Sequence, residues 1–153
     1  MEYFKEDYLI IRYEASMDLI HLQWNTKFIT DAQYKKGCEA ALKLIQEKQC
    51  TRWLGDLSNM GVIPVESQHW TNQHWFPRLF ESSLQHMGLI VSKDIFNKVA
   101  VTNIINKANG ISFASNYFQN KQEALLWLKG QKTQKVAIWK GKFEWYEYDK
   151  YPP

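Results

Sequence analysis

Two stretches near the start of the chain have the hydrophobic patterns of β-strands. Residues 8–13, YLIIRY, are β-branched and aromatic, and residues 19–24, LIHLQW, alternate with the period of two typical of half-buried strands. The more polar segment at residues 15–18 between them favours a turn. The two stretches therefore predict an opening β-hairpin.

The rest of the chain alternates between helical spacing and short apolar runs. A capping box of Thr30 and Gln33 opens a helix that we expect to end near Lys48. Pro64 favours the first turn of a second helix, which should kink or restart near Pro77 because proline has no amide hydrogen. The remaining elements are predicted as strands at residues 52–57, 86–92 and 111–114, and as helices that begin after Asp94 and Asn120.

The resulting order, ββαβαβαβα, predicts an α/β fold. Strands separated by helices favour parallel pairing with right-handed crossovers, and the opening hairpin adds an antiparallel part. We expect residues 1–130 to form one domain, a mixed five-stranded sheet with helices packed on it. Residues 131–153 form a C-terminal aromatic extension, in which two aromatic stretches around a Lys-Gly-Lys turn predict a further hairpin or tail.

Aromatic residues make up 15% of the chain and include 7 Trp. They concentrate in the helix after Pro64 and in the C-terminal extension. Because Trp70 and Trp75 are five residues apart, they differ by roughly 140° around a helix, so one of these rings should leave the inward face. We expect the two clusters to meet each other, a second subunit or a ligand. The predicted dimer or tail contacts are Trp139, Phe143 and Trp145.

Charge and composition argue against a nucleic-acid-binding, membrane-spanning or secreted protein. The net charge of +3 is too small to indicate nucleic acid, and acidic residues among the rings of the extension would repel phosphates. No run approaches the ~18 apolar residues of a membrane span, and the acidic start is unlike a signal peptide. Cys38 and Cys50 lack the spacing of a zinc site or a disulfide framework. We therefore expect a cytoplasmic protein.

Candidate catalytic groups are few. Glu66 and His69 are spaced to share a helix face and His74 follows, but a metal site would need another ligand from elsewhere. A Ser/His/Asp set could be drawn from Ser58, Asp56 and either histidine, yet no GxSxG motif surrounds the serine. No glycine-rich phosphate loop is present either. The expectation is a non-enzymatic protein with no metal and no cofactor.

With its elements in this order, the chain resembles the STAS superfamily, in its SpoIIAA-like branch. The resemblance rests on the opening hairpin, on the strand at residues 52–57 that ends in Asp56-Leu57-Ser58, and on the run FQNKQEALLWL at residues 118–128. It covers residues 5–130. It implies the fold of that superfamily and a regulatory or protein-interaction role.

The resemblance also raises the question of a phosphorylation switch. Anti-sigma-factor antagonists of this superfamily are phosphorylated on a serine at the start of the helix that follows the Asp-Leu-Ser strand. This chain has IPVES at residues 63–67 in place of the family's Asp-Ser-Ser-Gly run. The resemblance therefore implies a module not switched in the usual way, in which Glu66 supplies a permanent negative charge. Alternatively, Glu66 only complements the helix dipole.

Two hypotheses of function follow. The first is a homodimeric protein-binding module with an unknown protein partner, which uses the loop at residues 56–64 and the next helix. The alternative, implied by the Sec14-like side of the resemblance, is a carrier or sensor of a small apolar ligand. A pocket of ~300 Å³ or more lined by aromatic rings would favour this alternative. A histidine converging with Asp56 or Ser58 in a cleft would instead indicate an enzyme. The candidate partner or ligand surface consists of Asp56, Ser58, Asn59, Glu66, Ser67, His69, Trp70, His74 and Trp75.

Overall fold

The computed structural model describes residues 1–91 and 114–132. Its strands form one mixed sheet in chain order, antiparallel from the first to the third strand and parallel from the third to the sixth. The α/β class is therefore as expected. The strands are β1 (Glu2–Glu6), β2 (Leu9–Glu14), β3 (Leu19–Trp24), β4 (Arg52–Leu57), β5 (His86–Val91) and β6 (Ala114–Phe118).

The expected strand count of five is wrong, because the described residues already form six strands. The addition is β1, which pairs antiparallel with β2 at the edge of the sheet. The last strand also differs from the expectation at residues 111–114, since it begins at Ala114 and continues to Phe118. Both segments are five residues long, stand at the two ends of the described strand order and have two exposed residues each, and neither carries a strong apolar run.

Two of the described helices begin where the side-chain caps predict. The Oγ1 of Thr30 accepts a bond from the amide of Gln33 at 3.1 Å, and the Gln33 side chain accepts one from the Thr30 amide at the same distance. The Oδ1 of Asn120 accepts from the Glu123 amide at 2.9 Å. The helices are α1 (Asp31–Lys48), α2 (Val65–Trp70), α3 (Phe76–Phe80) and α4 (Lys121–Gly130).

A π-helical segment, Thr71–Trp75, joins α2 to α3. The amide of Phe76 bonds to the carbonyl oxygen of Thr71, five residues back, which widens this turn. Pro77 follows in the first turn of α3, where its missing amide hydrogen is tolerated. The predicted interruption near Pro77 is confirmed.

The two faces of the sheet bury two cores. Helix α1 and the α2–α3 region cover one face, where they pack on side chains such as Leu22 and Trp53. Helix α4 covers part of the other face, where Ala124 and Leu128 pack on Leu54. Consecutive strand residues point to opposite faces, so neighbours along β4 belong to different cores.

Several predictions concern residues outside the described parts of the chain. They are the helix after Asp94, the start of the strand predicted at residues 111–114, and the C-terminal extension with Trp139, Phe143 and Trp145.

Candidate functional site

Two loops at the carboxyl ends of β3 and β4 lie directly against each other. The amide of Gly61 donates to the carbonyl oxygen of Thr26 at 3.0 Å. A Cβ atom at Gly61 would lie 1.9 Å from the carbonyl oxygen of Lys27, so any other residue would force the two loops apart. The close approach joins the two loops into one surface.

Three apolar side chains project from this surface into solvent. Phe28 is 89% exposed, Val62 is 51% exposed, and Val65 at the start of α2 is 63% exposed. Their neighbours Ile29 and Ile63 are buried, so the two loops anchor some apolar residues and present others. We call Phe28, Val62 and Val65 the loop patch.

Charged residues of both signs flank the loop patch. Lys27 precedes Phe28 and Glu66 follows Val65, and both are exposed. Glu66 lies in the first turn of α2, where the helix dipole favours a carboxylate. The loop patch therefore has a positive charge next to Phe28 and a negative charge next to Val65.

Ser67 lies beside Glu66 in sequence but is buried. Its hydroxyl donates to the Asp31 carboxylate at 2.8 Å. Lys35 also bonds to Asp31, and these two hydrogen bonds, that of Lys35 first, lower the pKa of the carboxyl group. The Ser67 hydroxyl thus forms an internal hydrogen bond that links α2 to α1.

Asp56 and Ser58 bond to each other. One carboxylate oxygen of Asp56 accepts from the Ser58 amide at 3.0 Å and from its hydroxyl at 2.5 Å. This is the Asx-type turn expected after a strand. Both residues are half-buried, and the next residue, Asn59, is exposed.

The histidines of the predicted surface lie elsewhere. His69 is on α2 and His74 on the π-helical segment, and both are exposed. Asp56 alternates with Trp53 and Leu57 along β4 and so points to the sheet face opposite these helices. The described contacts do not bring either histidine onto Asp56 or Ser58.

The two tryptophans of the α2–α3 region both pack towards α1. Trp75 is buried, and its Nε1 donates to the carbonyl oxygen of Cys38 at 2.9 Å. Trp70 is half-buried, with its ring edge-on to Tyr34 at 6.2 Å between centroids. Trp70 thus sits at the rim of the core, and the pair does not form an exposed aromatic face.

A cavity of about 70 Å³ lies between the sheet and these helices. It is smaller than the ~300 Å³ that a drug-sized ligand needs. Every side chain of its wall is buried. The wall consists of Trp24, Tyr34, Cys38, Trp53, Leu57, Ile63, Thr71, Trp75, Phe76, Met87 and Leu89.

Buried polar groups without a hydrogen-bond partner were not foreseen from sequence, and two of them belong to β3 and β4. The Nε1 of Trp53 and the Nε2 of His21 have no hydrogen-bond partner within residues 1–91 and 114–132. Burial, with nearby Lys121 and Arg12, lowers the pKa of His21 to about 4. The only sequence signal was the placement of both residues inside apolar strand patterns.

The described parts of the chain contain neither a cluster of metal ligands nor a membrane-spanning helix. There, no three His, Cys, Asp or Glu side chains lie close enough together to hold a metal ion. None of the described helices combines the length and the apolar character needed to cross a bilayer.

The chain matches no protein-family model, no curated protein and no solved structure. The resemblance to the STAS superfamily therefore stays a prediction.

Proposed function

We propose that the chain is a non-enzymatic protein-interaction module of the STAS, SpoIIAA-like type, and that the loop patch is its binding face. The observation that carries this proposal is the exposure of Phe28 and Val62 on two joined loops and of Val65 at the start of α2. Exposed apolar clusters with a polar rim mark partner surfaces, because their burial is favourable. An aromatic residue such as Phe28 suits the centre of such an interface.

The partner that fits this surface is a second copy of the same chain. A two-fold axis through the loop patch would let Lys27 of one copy face Glu66 of the other, and the reverse. Exposed ion pairs contribute little affinity, but they select register and orientation. The apolar residues would supply the binding free energy, and the charges would align the two copies.

Glu66 has a further role in this proposal, as a permanent charge at the binding face. Its exposure in the first turn of α2 supports this role. The burial of Ser67 and its bond to Asp31 support a surface that serine phosphorylation does not switch, since a kinase would first have to open the α1–α2 contact.

The test is sedimentation equilibrium on the full chain and on two matched variants. We expect a dimer for the parent and a dissociation constant at least about tenfold higher for Phe28→Ser, because an interface aromatic is lost. Leu126→Ser is the control, since Leu126 is 71% exposed but lies on α4, outside the loop patch. Its dimer should be as stable as that of the parent.

Charge reversal gives the second arm of the test. Lys27→Glu and Glu66→Lys should each weaken the dimer, and the double variant should restore it, because the two charges face each other across the axis. A parent that stays monomeric, or a Phe28→Ser dimer as tight as the parent's, would overturn the proposal.

A further inference from the structure

The cavity between the sheet and the helices has an almost wholly apolar wall with one unused donor. Trp53 is buried, and its Nε1 finds no acceptor among the residues that the structure describes. Burying a hydrogen-bond donor without an acceptor is unfavourable, so such groups in folded proteins need an explanation. A ligand that accepts this hydrogen bond is one such explanation.

Other polar groups of the same wall are already bonded. The indole of Trp75 donates to the Cys38 carbonyl oxygen at 2.9 Å. The hydroxyls of Tyr34 and Thr71 are 2.8 Å apart, and Thr71 also donates to the carbonyl oxygen of Ser67 at 2.7 Å. The unpaired state of Trp53 therefore contrasts with its immediate surroundings.

The absence of a side chain at Gly55 leaves room for the Trp53 indole. A Cβ atom at Gly55 would lie 2.8 Å from the Trp53 Nε1 and 2.9 Å from the Cδ2 of Leu89. The indole nitrogen thus occupies the space that a side chain at Gly55 would fill, next to Leu89, which also lines the cavity. Its donor position is fixed by close packing and not by a hydrogen bond.

The helical side of the wall is irregular. Thr71 and Trp75 both belong to the π-helical segment, and both line the cavity. Single π-turns inside helices occur frequently at functional sites. The wide turn and the unpaired donor are independent observations on the same cavity.

The size of the cavity limits what it can hold. Its volume of about 70 Å³ is roughly half that of the ~150 Å³ apolar cavity known to bind benzene. Benzene has six non-hydrogen atoms, so a guest of about three or four non-hydrogen atoms follows from that ratio. A water molecule would need two to four polar partners, which this wall is poorly placed to supply.

We infer that this cavity is a binding site for a small, largely apolar molecule with one hydrogen-bond acceptor, such as a short-chain ketone or aldehyde. The apolar body packs against the rings of Trp75 and Phe76. The carbonyl oxygen accepts the hydrogen bond of the Trp53 indole. This site lies inside the domain and is independent of the loop patch, so either proposal can fail without the other.

The test compares two isosteric probes, acetone and 2-methylpropene, by two-dimensional NMR of the indole N–H groups of the full chain. Acetone should move the Trp53 indole proton downfield in a saturable way, because that proton gains an acceptor. The alkene has the same shape without the oxygen, so it should bind about 2- to 10-fold more weakly and leave this proton upfield. The Trp75 indole, already bonded, is the internal control.

Matched variants test the donor itself. Trp53→Phe should bind the two probes equally, whereas Trp75→Phe should keep a preference for the ketone. Three results on the unmodified chain would each overturn the inference: no saturable shift, equal affinity for both probes, or a Trp53 proton that in the free protein already shows a strong contact to bound water. None of them depends on whether a variant folds.

Discussion

At the residue scale, the pKa of His21 depends on its burial and on the charges near it. It is a buried residue on β3, and its pKa falls to about 4, mainly because burial penalises the charged imidazolium. The cations Lys121 and Arg12 push in the same direction, while Asp56 and Glu14 oppose them. The imidazole is therefore neutral in the folded protein at neutral pH.

This shift predicts a loss of stability in mild acid. The unfolded chain binds a proton at His21 below pH 6.5, whereas the folded chain binds it only near pH 4. The stabilisation is thus fully present above pH 6.5 and is lost as the pH falls towards 4, by about 3 kcal/mol at most. Denaturant unfolding across this range should show that His21→Leu has a flatter pH profile than the parent.

His74→Gln, which removes an exposed imidazole, is the control substitution for that prediction. A residual slope is expected in His21→Leu, since burial, followed by Arg52, also lowers the pKa of His86. A His21→Leu profile as steep as the parent's would contradict the assignment.

Sequence reasoning reaches the residue scale only in part. It identified the aromatic excess and the neighbours Trp70 and Trp75, but not that Trp75 meets a carbonyl oxygen while Trp53 does not. That difference depends on which backbone groups α1 presents after packing. Neither strand nor helix spacing encodes it.

At the element scale, the contact between α1 and the sheet depends on Gly37. A Cβ atom there would lie 2.5 Å from the Cδ2 of Leu9 and 2.6 Å from the Cη2 of Trp24. The missing side chain lets the helix approach the opening hairpin closely. The same approach brings Tyr34 into a stacked contact with Trp24, at 5.8 Å between centroids.

Gly37→Ala should therefore destabilise the protein, although alanine favours helices by about 1 kcal/mol. The steric overlap in a packed core costs about 1–3 kcal/mol and outweighs that gain. Gly130→Ala, at the end of α4 with no heavy atom within 4 Å of its Cβ, should change stability by less than about 0.5 kcal/mol. Thermal unfolding measures the stability of both variants against that of the parent. A Gly37→Ala protein more stable than the parent would contradict this prediction.

Elements with local signals were predictable, and those that depend on pairing were not. The Thr30–Gln33 capping box and Pro77 act within a few residues, so the sequence alone located the helix start and the interruption. Strand β1 has no such signal, because its existence depends on β2 offering an open edge. The exposure of Phe28 likewise depends on how two loops meet.

At the scale of the whole molecule, β1 protects one edge of the sheet. Glu2 lies 3.6 Å from Arg12, and Glu6 bonds to Lys36 on α1 at 3.0 Å. Phe4 packs against the core, with the Lys36 ammonium 5.9 Å from its ring centre. The strand thus closes both the hydrogen-bond edge of β2 and the end of the core.

Removal of residues 1–6 should lower the free energy of unfolding by about 2 kcal/mol or more, because the packing of Phe4 is lost. It should also promote aggregation, since β2 would present unpaired backbone groups. Denaturant unfolding and light scattering measure the two effects. Lys5→Glu, an exposed change within the intact strand, is the control. A truncated chain as stable and as dispersed as the parent would refute this role.

The strands follow each other across the sheet in the order in which they occur along the chain. During synthesis on a ribosome, each new strand would emerge next to the strand made just before it, so the sheet could grow outward from the first hairpin. Its growing edge would wait longest after β4, because residues 58–85, the longest interval between two paired strands, must be made before β5 can pair. That interval is when a nascent chain would most need a chaperone.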